Sequence, residues 1–155
     1  MIRDVVPEDA PMLARLHVQC WRETYTGLLP EEEIAARPYE VRRAQWENQI
    51  AAGTSRIAVL PDLGFAQAGP QRDGPLSTDW PEELYCLYLL KVGQGLGQGR
   101  TLFEAVRGQV PLTALVLDTN EVACRFYERA GGVLLETRPE HIGQVAISER
   151  VYGFR

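Results

Sequence analysis

The stretch Glu83-Leu-Tyr-Cys-Leu-Tyr-Leu-Leu-Lys-Val-Gly-Gln-Gly-Leu-Gly-Gln-Gly-Arg-Thr-Leu-Phe103 decides how this chain is read. Its opening, Glu83 to Leu90, is dense in leucine and tyrosine and reads as a strand. Glycines then fall at positions 93, 95, 97 and 99. Beyond them Leu102, Phe103 and Val106 recur at helical spacing. A strand therefore runs through a glycine loop into a helix. Glycine lets the loop adopt positive φ, and the helix start offers unpaired N–H groups and a positive dipole end. Together these form a pyrophosphate cradle, to which Arg100 adds a charge. The same spacing also serves a flexible turn. The dinucleotide pattern fails here, because Gln98 and Arg100 stand where its third glycine belongs. A Walker A loop fails too, for want of Gly-Lys-Ser/Thr. The pattern that fits is Gln94-x-x-Gly97-x-Gly99.

Working outward, Ile2, Val5 and Val6 suggest a short strand. A helix is expected from about Pro7 to Tyr25, with Leu13, Leu16, His17 and Cys20 on one face. Pro30-Glu-Glu-Glu33 opens a second short helix. A third spans Tyr39 to Ala52, with Val41, Gln45, Trp46 and Ile50 as its expected inner face. Arg56 to Leu60 and Leu63 to Ala68 read as a hairpin across Pro61-Asp62. Gly69 to Pro81 reads as a loop. After the glycine helix come a strand over Pro111–Leu117, a helix from Asn120 to Gly131-Gly132, and closing strands over Val133–Thr137 and Val145–Tyr152. The order predicts one mixed α/β domain over residues 1–155.

The 155 residues carry a net charge of -5 and are 45% apolar, enough for a proper core without a basic run for nucleic acid. Cys20, Cys86 and Cys124 are far apart and odd in number, which predicts reduced thiols and a cytoplasmic protein. His17 and His141 have no ligand-spaced companions, so no metal is expected. His17 reads as a helix-face residue and His141 as a loop residue. The start Met1-Ile-Arg-Asp4 reads as no signal peptide, and no apolar run is long enough for a membrane span.

The second chemical signal is Asn120-Glu-Val-Ala-Cys-Arg-Phe-Tyr-Glu-Arg-Ala-Gly-Gly132. Asn120 and Tyr127 fall on one helix face, roughly 10 Å apart along the axis. Long helical side chains lean toward the N-terminus, so the Tyr127 hydroxyl points back toward the strand ends. A phenol with a pKa of about 10 is protonated at neutral pH and can give its proton to a thiolate. Spacing alone also allows Asn120 to be a plain N-cap and Tyr127 to be core beside Phe126.

Both segments resemble the GNAT superfamily of acyl-CoA N-acyltransferases. The loop resembles the family's Q/R-x-x-G-x-G/A, and Asn120 with Ala123-Cys-Arg-Phe-Tyr-Glu-Arg-Ala-Gly-Gly132 resembles its second cofactor segment. The resemblance implies a central mixed, mostly antiparallel sheet of six to seven strands flanked by helices. It implies acetyl-CoA as co-substrate, its pyrophosphate on the backbone amides of Gln94, Gly95, Leu96, Gly97, Gln98, Gly99 and Arg100. Pantetheine then aligns along Leu87, Tyr88 and Leu89 like an added strand and meets Asn120. Tyr127 becomes the general acid. The loop departs from the family pattern at Gly93, Leu96 and Gln98, positions that leave the amides in place.

Trp21, Tyr25 and Leu28, within Trp21-Arg-Glu-Thr-Tyr-Thr-Gly-Leu-Leu-Pro30, resemble the family's acceptor wall; each alone also reads as a packed helix end. Glu83 reads either as a base acting through water or as a solvated acid at a strand start. No His stands near Cys86 or Cys124 to activate a thiol. The expected reaction is acetyl transfer from acetyl-CoA to the primary amine of a small molecule or peptide. The alternative is a non-catalytic CoA-binding or interaction module on the same fold. Neither nucleic acid nor membrane is an expected partner; a homodimer is the default oligomer.

Overall fold

Strands two to four residues apart in sequence pair as neighbours because short turns join them, and the helices cover what they leave apolar. The computed structural model describes residues 1–155. Its strands are β1 (Arg3–Asp4), β2 (Arg56–Leu60), β3 (Gly64–Pro70), β4 (Glu82–Leu89), β5 (Leu112–Leu117), β6 (Val133–Ile142) and β7 (Val145–Phe154). Its α-helices are α1 (Ala10–Tyr25), α2 (Glu31–Ala35), α3 (Tyr39–Ala52), α4 (Gln98–Val106) and α5 (Glu121–Arg129). The sheet order is β1-β2-β3-β4-β5-β7-β6. Only β4 and β5 pair in parallel, joined through α4. No helix is long and apolar enough to cross a membrane.

The period-two alternation of the strands feeds two cores. In β2, Ile57 and Val59 turn to α1 and α3, where they meet Leu13, Leu16, Cys20, Trp46 and Phe65. Ala58 and Leu60 turn to the other face and meet Leu102, Phe103 and Val106 of α4. Small residues on that face, Ala58, Ala66 and Ala114, let α4 settle close to the sheet. Truncating a side chain such as Phe103, fully buried, to alanine is expected to destabilise by about 3–5 kcal/mol. A third cluster, Leu29, Ile34 and Leu117 with Trp21, Tyr25, Ile142 and Ile147, ties the turn after α1 to the β6–β7 hairpin.

The sequence-based elements are present with shifted edges. A 3-10 turn over Pro7–Asp9 precedes α1, and β3 continues to Pro70, beyond the expected loop start. β6 extends to Ile142 and carries Pro139. It is an edge strand, where a missing amide donor is tolerated. His141 consequently sits on a strand instead of a loop. The inner face of α3 differs as well. Trp46 is buried as expected and Ile50 half-buried, but Val41 and Gln45 are exposed and Arg42 is buried. Arg42 lies four residues before Trp46, so helical phase places it inward ahead of the more apolar Val41.

Candidate active site

The parallel pairing of β4 with β5 covers only Glu82–Leu84 against Leu112–Ala114. Beyond it β4 continues along β3 to Leu89 while β5 departs. The split coincides with an irregularity opposite Gln67 and Ala68, where Tyr85 is the extra residue of β4. The result is a cleft whose wall is the unpaired edge of β4. Leu90 N–H donates to Leu63 O at 2.8 Å, so its main chain turns to the β3 side. The carbonyl of Tyr88 also lies against Gly64, on that side. Alternation turns the main chain of Leu87 and Leu89 into the cleft. Tyr88 is thus not a main-chain element of the cleft edge. Its side chain faces α1 instead, its hydroxyl 3.0 Å from that of Tyr25.

The glycine loop closes one end of the cleft. Gly95 and Gly97 have φ of 86° and 78°, left-handed values that glycine adopts without strain. The other two glycines serve packing: a Cβ on Gly99 would lie 3.1 Å from Phe126, and one on Gly93 3.2 Å from Leu89. The first bond of α4 runs from Thr101 N–H to Gly97 O at 3.1 Å. The N–H groups of Gly95, Leu96, Gly97, Gln98, Gly99 and Arg100 therefore find no acceptor in the protein, while Gln94 N–H is taken by Lys91 O. The Gln94 side chain folds back to the Leu89 carbonyl at 2.8 Å. The cradle begins at Gly95, one residue later than the sequence pattern suggests. Leu96 is 77% exposed at its rim, and Arg100 has only a loose partner in Glu104 at 3.9 Å.

Across the cleft stands α5. Asn120 caps it, accepting from Ala123 N–H at 3.3 Å, which leaves its side-chain amide nitrogen free. Tyr127 is 6% exposed, its ring set against Phe126, Tyr152 and Phe154. Its hydroxyl has no hydrogen-bond partner. Burial pushes its pKa upward, with smaller contributions from Tyr25 and Cys86 across the sheet edge. Burial holds the phenol neutral, with Tyr25 and Cys86 near it, and the packing that spacing alone allowed for this residue is present.

Trp21 and Tyr25 come together on α1, ring centroids 4.8 Å apart. Leu28 does not join them: it is exposed, and Leu29 is the residue buried beneath, because the turn at Gly27 rotates the chain. Glu83 corrects the reading of a solvated acid. It is 3% exposed, and its carboxylate accepts from Arg72 N–H at 3.2 Å, Nε at 3.1 Å and Nη2 at 2.7 Å. So held, with both oxygens engaged by Arg72, it anchors the β3–β4 loop. Burial raises the Cys86 thiol to about 12 and the Cys20 thiol likewise, and it raises Cys124, so none is a ready nucleophile. His17 accepts from Trp46 Nε1 at 3.1 Å and is held neutral by burial, its pKa near 3.

Sequence reasoning missed Arg42, whose guanidinium lies over the Trp21 ring at 4.9 Å. The available signal was the spacing Arg42-x-x-x-Trp46, which puts a charge on the buried stripe of α3. A hollow of about 330 Å³ near Arg56 and Val106 lies away from all of these groups.

No protein-family model matches the chain. It is 32% identical over 106 residues, 65% of its length, to the uncharacterized N-acetyltransferase YuaI of Bacillus subtilis, and spans 58% of that relative's length. Among solved structures it is similar to the PaiA N-acetyltransferase from Thermoplasma acidophilum in complex with coenzyme A. The TM-score is 0.76 at 20% identity, over 100% of this chain and 98% of that one. It is similar also to YncA from Salmonella typhimurium with its cofactor acetyl-CoA, at a TM-score of 0.72 and 17% identity, over 100% and 92% of the two chains. With its seven-stranded mixed sheet, split between β4 and β5 and flanked by helices, the chain has the fold of the GNAT N-acetyltransferases.

Proposed function

We propose that the protein is an acetyl-CoA-dependent N-acetyltransferase acting on a primary amine of a small molecule or peptide. The observation that carries this is the run of six unpaired N–H groups, Gly95 to Arg100, at one end of a cleft that the unpartnered Tyr127 hydroxyl overlooks. The residues suit coenzyme A. Six amides and a helix dipole match a pyrophosphate, and a Cβ at Gly95 or Gly97 would meet nothing within 4 Å, so the cradle is open. The inward-turned main chain of Leu87 and Leu89 suits pantetheine as an added strand, and the free amide of Asn120 lies at the opposite wall.

When bound, acetyl-CoA supplies an activated acyl group as a thioester. The Leu89 N–H donates to the acyl oxygen as negative charge grows there. Tyr127 Oη, held neutral by burial, gives its proton to the departing sulfur. Tyr25 and Trp21 hold the amine side and exclude bulk water. With Glu83 bound to Arg72, the amine gives its proton to solvent. The relatives' names and bound cofactors support this reading.

Release of free CoA thiol, measured over a panel of amines, tests it. Tyr127→Phe is expected to lower kcat by about 100-fold or more while acetyl-CoA still raises the melting temperature. Undiminished kcat in the variant overturns the acid assignment. No thiol release with any amine overturns the activity and leaves the binding module.

A further inference from the structure

Arg42 is 7% exposed and faces no carboxylate. Its Nη1 donates to Gln45 Oε1 at 3.1 Å, while Nε and Nη2 are fully buried and donate to nothing. These two nitrogens form one edge of the planar guanidinium, the fork that grips a carboxylate through two parallel bonds. Trp21 lies against it, and Trp21 Nε1 is likewise buried without an acceptor. The other cation over that ring, Arg37, is drawn off toward Glu33 at 3.7 Å. Three buried donor nitrogens without acceptors thus lie on two side chains in contact, with no anion beside them. Buried polar groups are ordinarily paired, and an unpaired buried charge is the costliest exception.

The pair belongs to the acceptor side. Trp21 packs on Tyr25, whose hydroxyl meets that of Tyr88 on β4. Arg42 lies near Tyr25, Tyr88 and Cys86, and Tyr127 lies near Tyr25 and Cys86 from the opposite wall.

We propose that Arg42 and Trp21 form an anion subsite and that the acceptor is an amino carboxylate, its carboxylate held on the Nε–Nη2 edge while its amine attacks. This rests on the acetyltransferase reading above. A planar carboxylate suits a two-nitrogen edge, with Trp21 Nε1 as the additional donor. The step balances: the amine nitrogen bonds to the acetyl carbon, the carbon–sulfur bond breaks, sulfur takes the Tyr127 proton, the amine's proton goes to water, and the Tyr127 phenolate takes one back from water. The donors are shut from solvent, so a covering side chain has to move before a carboxylate reaches them.

The test is thiol release by the full chain with acetyl-CoA, using α- and ω-amino carboxylates, each matched with its carboxamide, and polyamines. Carboxylates are expected to exceed their amides at least tenfold in kcat/KM. Arg42→Met is expected to abolish that preference, chiefly through KM, and Arg42→Lys to retain part of it. Both variants should keep the melting shift given by acetyl-CoA, which also reports that they fold. Amides or polyamines accepted as well as carboxylates, or a preference that survives Arg42→Met, overturn the subsite and leave the acetyltransferase reading standing. No thiol release with any amine sinks that reading and the subsite with it.

Discussion

Among single residues, His17 gives the clearest physical prediction. Its imidazole accepts from Trp46, and burial, followed by the charges of Arg42 and Arg37, holds its pKa near 3, well below the ordinary 6.5. Between those values the unfolded chain takes up a proton that the native imidazole refuses. Stability therefore falls as pH drops through the window, by at most about 1.4 kcal/mol per unit from this group. Urea unfolding of His17→Gln and the parent at pH 7, 6, 5 and 4 should show a flatter dependence in the variant; parallel curves would contradict it. Glu83 offers a second prediction. Its buried carboxylate is consumed by Arg72, so Glu83→Gln is expected to destabilise by about 1–3 kcal/mol. The pH profile of kcat/KM should keep its shape; loss of the acid limb would restore Glu83 as a base. That pairing was not legible in the sequence, because Arg72 sits in a polar loop eleven residues away and only the chain's return brings it back. The burial of Tyr127 was legible, since helical phase on α5 places it with Cys124 on the packed face. Arg42 was hidden by its own polarity: charge reads as surface, yet its position relative to Trp46 points inward.

At the level of elements, the glycine loop divides its labour, and two substitutions separate the parts. Gly97→Ala puts a side chain at a φ of 78° with nothing within 4 Å. It should destabilise by about 1–2 kcal/mol through backbone strain alone and weaken acetyl-CoA binding by tilting the amides. Gly99→Ala meets the Phe126 ring at 3.1 Å and should press α4 away from α5. Adding Phe126→Leu should recover much of that loss in melting temperature, whereas no recovery would deny the packing role. Strong periodicity made α1, α3, α4 and β4 readable, since each repeats an apolar face. The edges were less so: β6 runs through Pro139, because an edge strand does not need that amide.

Across the whole molecule, one departure from regularity makes the site. Six strand pairings hold the sheet, and the parallel one stops after three residue pairs. That early stop opens the cleft between a fixed loop at its end and α5 on its wall. The mixed, mostly antiparallel sheet followed from the resemblance of two motifs, but the split itself is a register event with no signature in composition. The proposed acceptor wall rests on the third cluster, where Trp21 and Tyr25 meet Ile142 and Ile147 from the far hairpin, contacts too distant in sequence to be read from it.

The measurement that bears most directly on this account is the melting temperature of the purified protein with acetyl-CoA in large excess, against ATP and NAD at the same concentration. A ligand at about 100 times its Kd adds about 2.7 kcal/mol, several degrees for a chain of this size. Acetyl-CoA alone should give that rise, diminished in Gly97→Ala. No rise, or an equal rise with ATP or NAD, would contradict it.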